Sequence, residues 1–111
     1  MLIKKQGWEL NDICSIKMIT AEEIIGKITD KSDGTITVSK PLVLQVQVDQ
    51  RTGQAGMTLI PTFVMGVGVD AKVTLKDAHI ICVTLADDEI AQGYLRQTSS
   101  IAMPETGGIF T

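Results

Sequence analysis

Aromatic residues are scarce: Trp8, Phe63, Tyr94 and Phe110 make up 4% of the 111 positions. With so few rings the core has to be filled by aliphatic side chains, and the abundance of Ile and Val favours sheet. The same scarcity leaves few platforms for stacking nucleobases, at about 1–3 kcal/mol per base. Histidine occurs once, at His79, and cysteine twice, at Cys14 and Cys82, which is no zinc-ligand pattern. Both cysteines sit in apolar runs, "ICSI" and "IICV", and read as buried thiols of a reducing compartment; the alternative is a disulfide across neighbouring strands. Basic charge is not in excess, with 10 Lys and Arg against 13 Asp and Glu and a net charge of −3. No broad positive field therefore draws the chain to phosphate, although a net value averages over faces. No apolar run approaches the roughly 20 residues of a membrane span. The start, "MLIKKQGWELND", is too polar after Ile3 to read as a signal peptide.

What is present is an ordinary globular composition, 44% apolar and 21% charged, at the length of one domain. Residues 1–12 form a polar lead-in with Trp8 laid against the body. From Ile13 to Ile19 the chain alternates, with Cys14, Ile16 and Met18 on the cleaner apolar side, as a half-buried strand requires. Glu23 to Thr29 reads as a second strand. Asp33-Gly34 is a strong hairpin signal, leading to a third strand from Thr35 to Val38 that Pro41 interrupts. "LVLQVQV" and "MTLIPTFV" flank a longer loop, "DQRTGQAG"; Pro61 lacks an amide donor and marks an edge or a bulge. Gly66 and Gly68 suit a sharp bend, and "KVTLKDAHIICVTL" continues as strand. The period then changes. Asp87 reads as a helix cap, with Asp88 and Glu89 at the positive end of a helix near residues 87–98. Residues 99–111 read as a flexible tail.

One glycine, Gly26, stands inside the second strand. Phosphate-cradling loops need several glycines between a strand and a helix. A lone strand glycine marks strong curvature or a close backbone approach instead, which a small barrel needs where its sheet turns over. The stretch "ICSIKMITAEEIIGKITDKSDGTITV" resembles the first motif of Sm-like (LSm) proteins, the group that includes bacterial Hfq, with Ile16, Met18, Ile24, Gly26, Ile28, Ile36 and Val38 at the corresponding positions. "VTLKDAHIICVTL" is similar to the second motif. With the inserted hairpin and the following helix, residues 8–98 look most like Sm-like proteins of cyanophages.

The resemblance implies a mostly β chain: a small, strongly bent, SH3-type barrel over residues 1–98 with one short C-terminal helix. It also implies a homo-oligomeric ring of about five to seven subunits, closed by strand edges pairing between protomers, in the cytoplasm of an infected host cell. RNA would be bound in the ring lumen by Lys31, Asp33, Thr35, Lys76, Asp77 and His79. The departures bear on that role. Asp33-Gly34-Thr35 stands where RNA-binding members place an asparagine that reads uracil, Ala21-Glu22 replaces the usual first-turn glycine, and Lys76-Asp77-Ala78-His79 replaces the usual second-motif basic pattern. The rival function is a ring that holds other proteins without touching RNA.

Nothing points to catalysis. Asp77 and His79, read in an extended segment, would share one face, either as a lumen site or as a satisfied polar pair at a strand start. No nucleophile belongs to them by spacing, and the carboxylates at 22–23, 30, 33 and 87–89 read as solvated turn and helix-end residues. "GVGV" lacks the third glycine and the helix of a nucleotide fingerprint. No metal, cofactor or catalytic residue is expected.

Overall fold

The computed structural model describes residues 7–61 and 71–99. Phe63, Gly66, Gly68, Phe110 and, after Ser99, the tail lie outside the described residues. Among the described residues the chain is mostly β. Its strands are β1 (Ile13–Met18), β2 (Glu23–Ser32), β3 (Thr35–Val48), β4 (Ala55–Ile60), β5 (Lys72–Lys76) and β6 (Ile80–Leu85), followed by the single helix α1 (Asp88–Thr98). They form one antiparallel sheet in the order β4-β3-β2-β1-β6, with β5 pairing the first half of β3. A 3-10 turn, Asp77–His79, carries the chain directly from β5 on one side of the sheet to β6 on the other. β5 and β6 share no ladder, so the hydrogen-bonded sheet is open between them rather than closed.

The alternation of β1 is realised: Cys14, Ile16 and Met18 are buried while Ile13, Ser15 and Lys17 are half-buried. The β2–β3 hairpin closes through Asp33-Gly34, with Ser32 opposite Thr35 and Gly34 at φ 81°, a conformation open to glycine without steric cost. Pro41 does not interrupt β3. The strand runs through it because the register slips there: Ile25 faces Leu42, but Lys27 faces Ser39, so β3 carries one extra residue opposite Gly26. Lys40 takes φ 52° at this bulge.

Because side chains alternate with a period of two, one extra residue exchanges the faces of the strand. Ile36 and Val38 pack with Cys14, Ile16, Met18, Ile24, Ile28 and Leu75 in one cluster. Leu42, past the bulge, packs with Ile25, Leu59 and Tyr94 in a second. Each fully buried Ile, Val or Leu stabilises the fold by about 1.5–3 kcal/mol relative to exposure. Gly26 sits at the crossover. A Cβ there would lie 2.3 Å from Val38 Cγ1 and 3.3 Å from the Ser39 carbonyl oxygen, so only glycine lets β2 and β3 approach this closely.

Helix α1 covers the second cluster. Asp87 caps it by accepting from the Glu89 N–H at 3.1 Å, with Asp88 and Glu89 in the first turn and Arg96 in the last, as the helix dipole favours. Tyr94 is its one buried residue. The Tyr94 hydroxyl donates to the Ser39 carbonyl at 2.7 Å, Gln97 Nε2 donates to the Leu59 carbonyl at 2.7 Å, and Lys40 Nζ donates to the Thr98 carbonyl at 3.1 Å. These bonds pin the helix's second half to β3 and β4, offsetting the cost of Gly93 within it.

Candidate functional site

Two turns meet at one end of the sheet. Lys31 lies opposite Ile36 at the end of β2, Asp33 is in the β2–β3 turn, and Thr35 opens β3 opposite Lys76, the last residue of β5. The Asp77 N–H donates to the Gly34 carbonyl at 2.9 Å, tying the 3-10 turn to the hairpin turn. A third loop joins them, since the Ile19 N–H donates to the His79 carbonyl at 2.9 Å. The backbone thus brings Lys31, Asp33, Thr35, Lys76, Asp77 and His79 into one neighbourhood. Thr35 is half-buried and the other five are exposed.

Asp77 and His79 are not in extended backbone. In a 3-10 turn successive side chains are about 120° apart, so residues two apart do not share a face. The local charge is mixed: Lys31 and Lys76 stand among Asp30, Asp33 and Asp77.

Beside the turns lies a cleft of about 320 Å³, with Trp8, Lys31, Asp77 and Cys82 around an apolar floor of Ile36, Ile80 and Val83. Trp8 is half-buried and packs on the first cluster. Lys31 Nζ sits over its indole, 5.5 Å from the ring centroid, in cation–π range. The sequence places Trp8 against the body but carries no sign that it belongs to a site. The two residues are far apart in the chain, and only the return of β2 brings Lys31 to the indole. Of the two cysteines expected to be buried, Cys14 is buried but Cys82 is exposed, and both are free thiols rather than a cross-strand disulfide. β6 is an edge strand, and nothing among the described residues pairs with its outer side.

The ionisations of Tyr94 and Glu22, both outside the cleft, are displaced. Tyr94 is pushed up to about 12 by burial, against the opposing effect of a backbone hydrogen bond from Lys27. Glu22, in the β1–β2 turn, is held below its ordinary value by the Thr20 hydroxyl and by its own backbone N–H. No group of three or more His, Cys, Asp or Glu suited to a metal occurs among the described residues, and no helix there is long and apolar enough to cross a membrane.

A second surface stands out on the β3–β4 hairpin. Val46 faces Met57 and Val48 faces Ala55, all on the side that continues outward from Leu44 and Leu59. Val46, Val48 and Met57 are more than half exposed.

The fold and the two turns define a small, mostly antiparallel β chain with one covering helix. Compared with known protein families and with curated sequences, it matches no family model and no curated protein.

Proposed function

We propose that the chain is the protomer of a homo-oligomeric, Sm-like ring that binds RNA through its loop cluster. The observation that carries this reading is the Asp77–Gly34 hydrogen bond, which joins the turns of the two Sm-like segments at one end of the sheet. The strand order agrees with a strongly bent barrel whose gap lies between β5 and β6. Among the described residues β4, β5 and β6 each have one edge that pairs with no strand, and these edges would offer backbone groups to neighbouring protomers. Ring symmetry would repeat Lys31 and Lys76 around a lumen, concentrating positive charge that a single acidic protomer lacks. The test begins with size-exclusion chromatography coupled to light scattering, read at 260 and 280 nm, and continues with RNA titration at low salt. The expected result is a defined ring that binds RNA and loses affinity with rising salt. Lys31→Gln and Lys76→Gln should each weaken binding and flatten the salt slope. An assembled ring that fails to bind RNA at low salt overturns the RNA role, and a monomer overturns the ring.

A second reading, a ring that holds other proteins, is favoured by the acidic balance at the loops and by the exposed apolar side of the β3–β4 hairpin. Capture from lysate after nuclease treatment separates the two. Partners that persist without RNA favour the protein-holding ring, and partners lost with the RNA favour the first reading.

A further inference from the structure

Resting on the RNA reading above, we propose that the cleft beside Trp8 is a nucleobase pocket, and that Asp77 makes it select cytosine over uracil. Three features of the cleft converge on this chemistry. Trp8 offers a flat aromatic wall held by packing on the core, and Ile36, Ile80 and Val83 supply the apolar floor on which a planar ring displaces water. Lys31 supplies an ammonium directly over the indole, where it can exchange the ring face for a nucleotide phosphate without leaving the cleft. Asp77 supplies a carboxylate. Among the described residues neither Lys31 nor Asp77 makes an ion pair or a side-chain hydrogen bond, so both charges are open to a ligand.

The base preference follows from the inventory of donors and acceptors. An ionised carboxylate only accepts hydrogen bonds. Cytosine presents an amino group, N4, at the position where uracil presents a carbonyl oxygen, and a carboxylate pairs with the first and repels the second. Uracil's one ring donor on that edge, N3–H, lies between two carbonyl oxygens that repel the carboxylate, whereas the outer N4 proton of cytosine has only C5–H beside it. The bases are alike in size and stacking, so a preference between them reports hydrogen bonding, and Asp77→Asn tests whether Asp77 supplies it. The pocket thus reverses the uracil preference that the family resemblance implies, in a chain that also lacks the asparagine reading uracil.

Trp8 is the sole tryptophan, so its emission reports the cleft directly. The experiment titrates the assembled protein with short oligocytidine and oligouridine at low salt. It follows Trp8 fluorescence and, separately, the anisotropy of end-labelled oligonucleotides, which reports binding anywhere on the protein. Oligocytidine should quench Trp8 and bind about tenfold more tightly than oligouridine. Asp77→Asn, which both donates and accepts, should erase that preference. Trp8→Leu should weaken binding measured by anisotropy, whereas Trp8→Phe keeps an aromatic wall and should keep the preference, which preserves the test if the leucine variant unfolds. Equal affinity for the two oligonucleotides overturns the base choice. Binding by anisotropy with unchanged Trp8 emission and unchanged affinity in the folded Trp8 variants overturns the pocket and leaves the RNA reading standing. Binding of neither oligonucleotide removes both.

Discussion

Gly26 and Val38 occupy one volume: a Cβ on Gly26 would come within 2.3 Å of Val38 Cγ1, and Val38 is completely buried. Gly26→Ala should therefore destabilise the fold by about 1–3 kcal/mol, as overpacking of a filled core does. Shortening the neighbour makes the room that the extra methyl needs. In urea denaturation the double variant Gly26→Ala, Val38→Ala should be less destabilised than the sum of the two single changes. Strict additivity would show that the two positions do not compete for space.

Tyr94 holds α1 to the bulge through its hydroxyl, and its ionisation is suppressed. Tyr94→Phe leaves the Ser39 carbonyl without its donor, at a cost of about 1–3 kcal/mol. The folded chain favours the protonated phenol, with the ionisation raised from 10.0 to about 12. That contribution is complete below pH 10 and is lost as pH rises through about 12. Wild type should therefore lose its advantage over the phenylalanine variant across this window, seen as converging urea midpoints. A constant gap between the two would mean that Tyr94 ionises as easily folded as unfolded.

Ala21 turns the chain between β1 and β2 at φ 84°, where a Cβ is unfavourable. The turn is otherwise well bonded: the Ala21 N–H donates to the Met18 carbonyl at 2.9 Å, and Lys17 Nζ donates to the Ala21 carbonyl at 2.8 Å. Ala21→Gly relieves the strain without touching these bonds and should raise stability by about 0.5–1 kcal/mol, net of the greater freedom of glycine when unfolded. A loss of stability in thermal unfolding would contradict the left-handed turn.

The two thiols should behave oppositely. Cys82 is exposed and Cys14 is fully buried, its sulfur 3.7 Å from the Asp12 carbonyl oxygen. A thiol reagent added to the folded protein should titrate one cysteine per chain rapidly, and the second only with denaturant. Cys82→Ser should abolish the fast phase. Two fast thiols would place Cys14 at the surface.

Much of this architecture can be read from residue order, because local chemistry decides it. The alternation from Ile13 to Met18, the Asp33-Gly34 turn and the Asp87 cap each express a rule acting over a few residues. What escapes is set by the chain's return on itself. A three-residue turn has no period to detect, so Asp77–His79 blends into the strands on either side. Pro41 looks like a break, but the extra residue in β3 absorbs it and the strand continues. Cys82 carries an apolar context, yet its exposure depends on what lies beyond the β6 edge. The meeting of Trp8 with Lys31 follows only from the route of β2. The candidate site is correspondingly half legible: its hairpin turn could be found in the sequence, whereas its 3-10 turn and its aromatic wall could not.

The extra residue in β3 has a consequence for how the molecule comes apart. One strand lends its first half to the cluster under β1 and its second half to the cluster under α1, so neither cluster can melt while the other keeps that strand in place. Native-state hydrogen exchange should find the β3 amides on both sides of Lys40 opening together, at the free energy of global unfolding. The helix layer is then no detachable lid but part of a single cooperative transition, coupled to the rest by a one-residue offset.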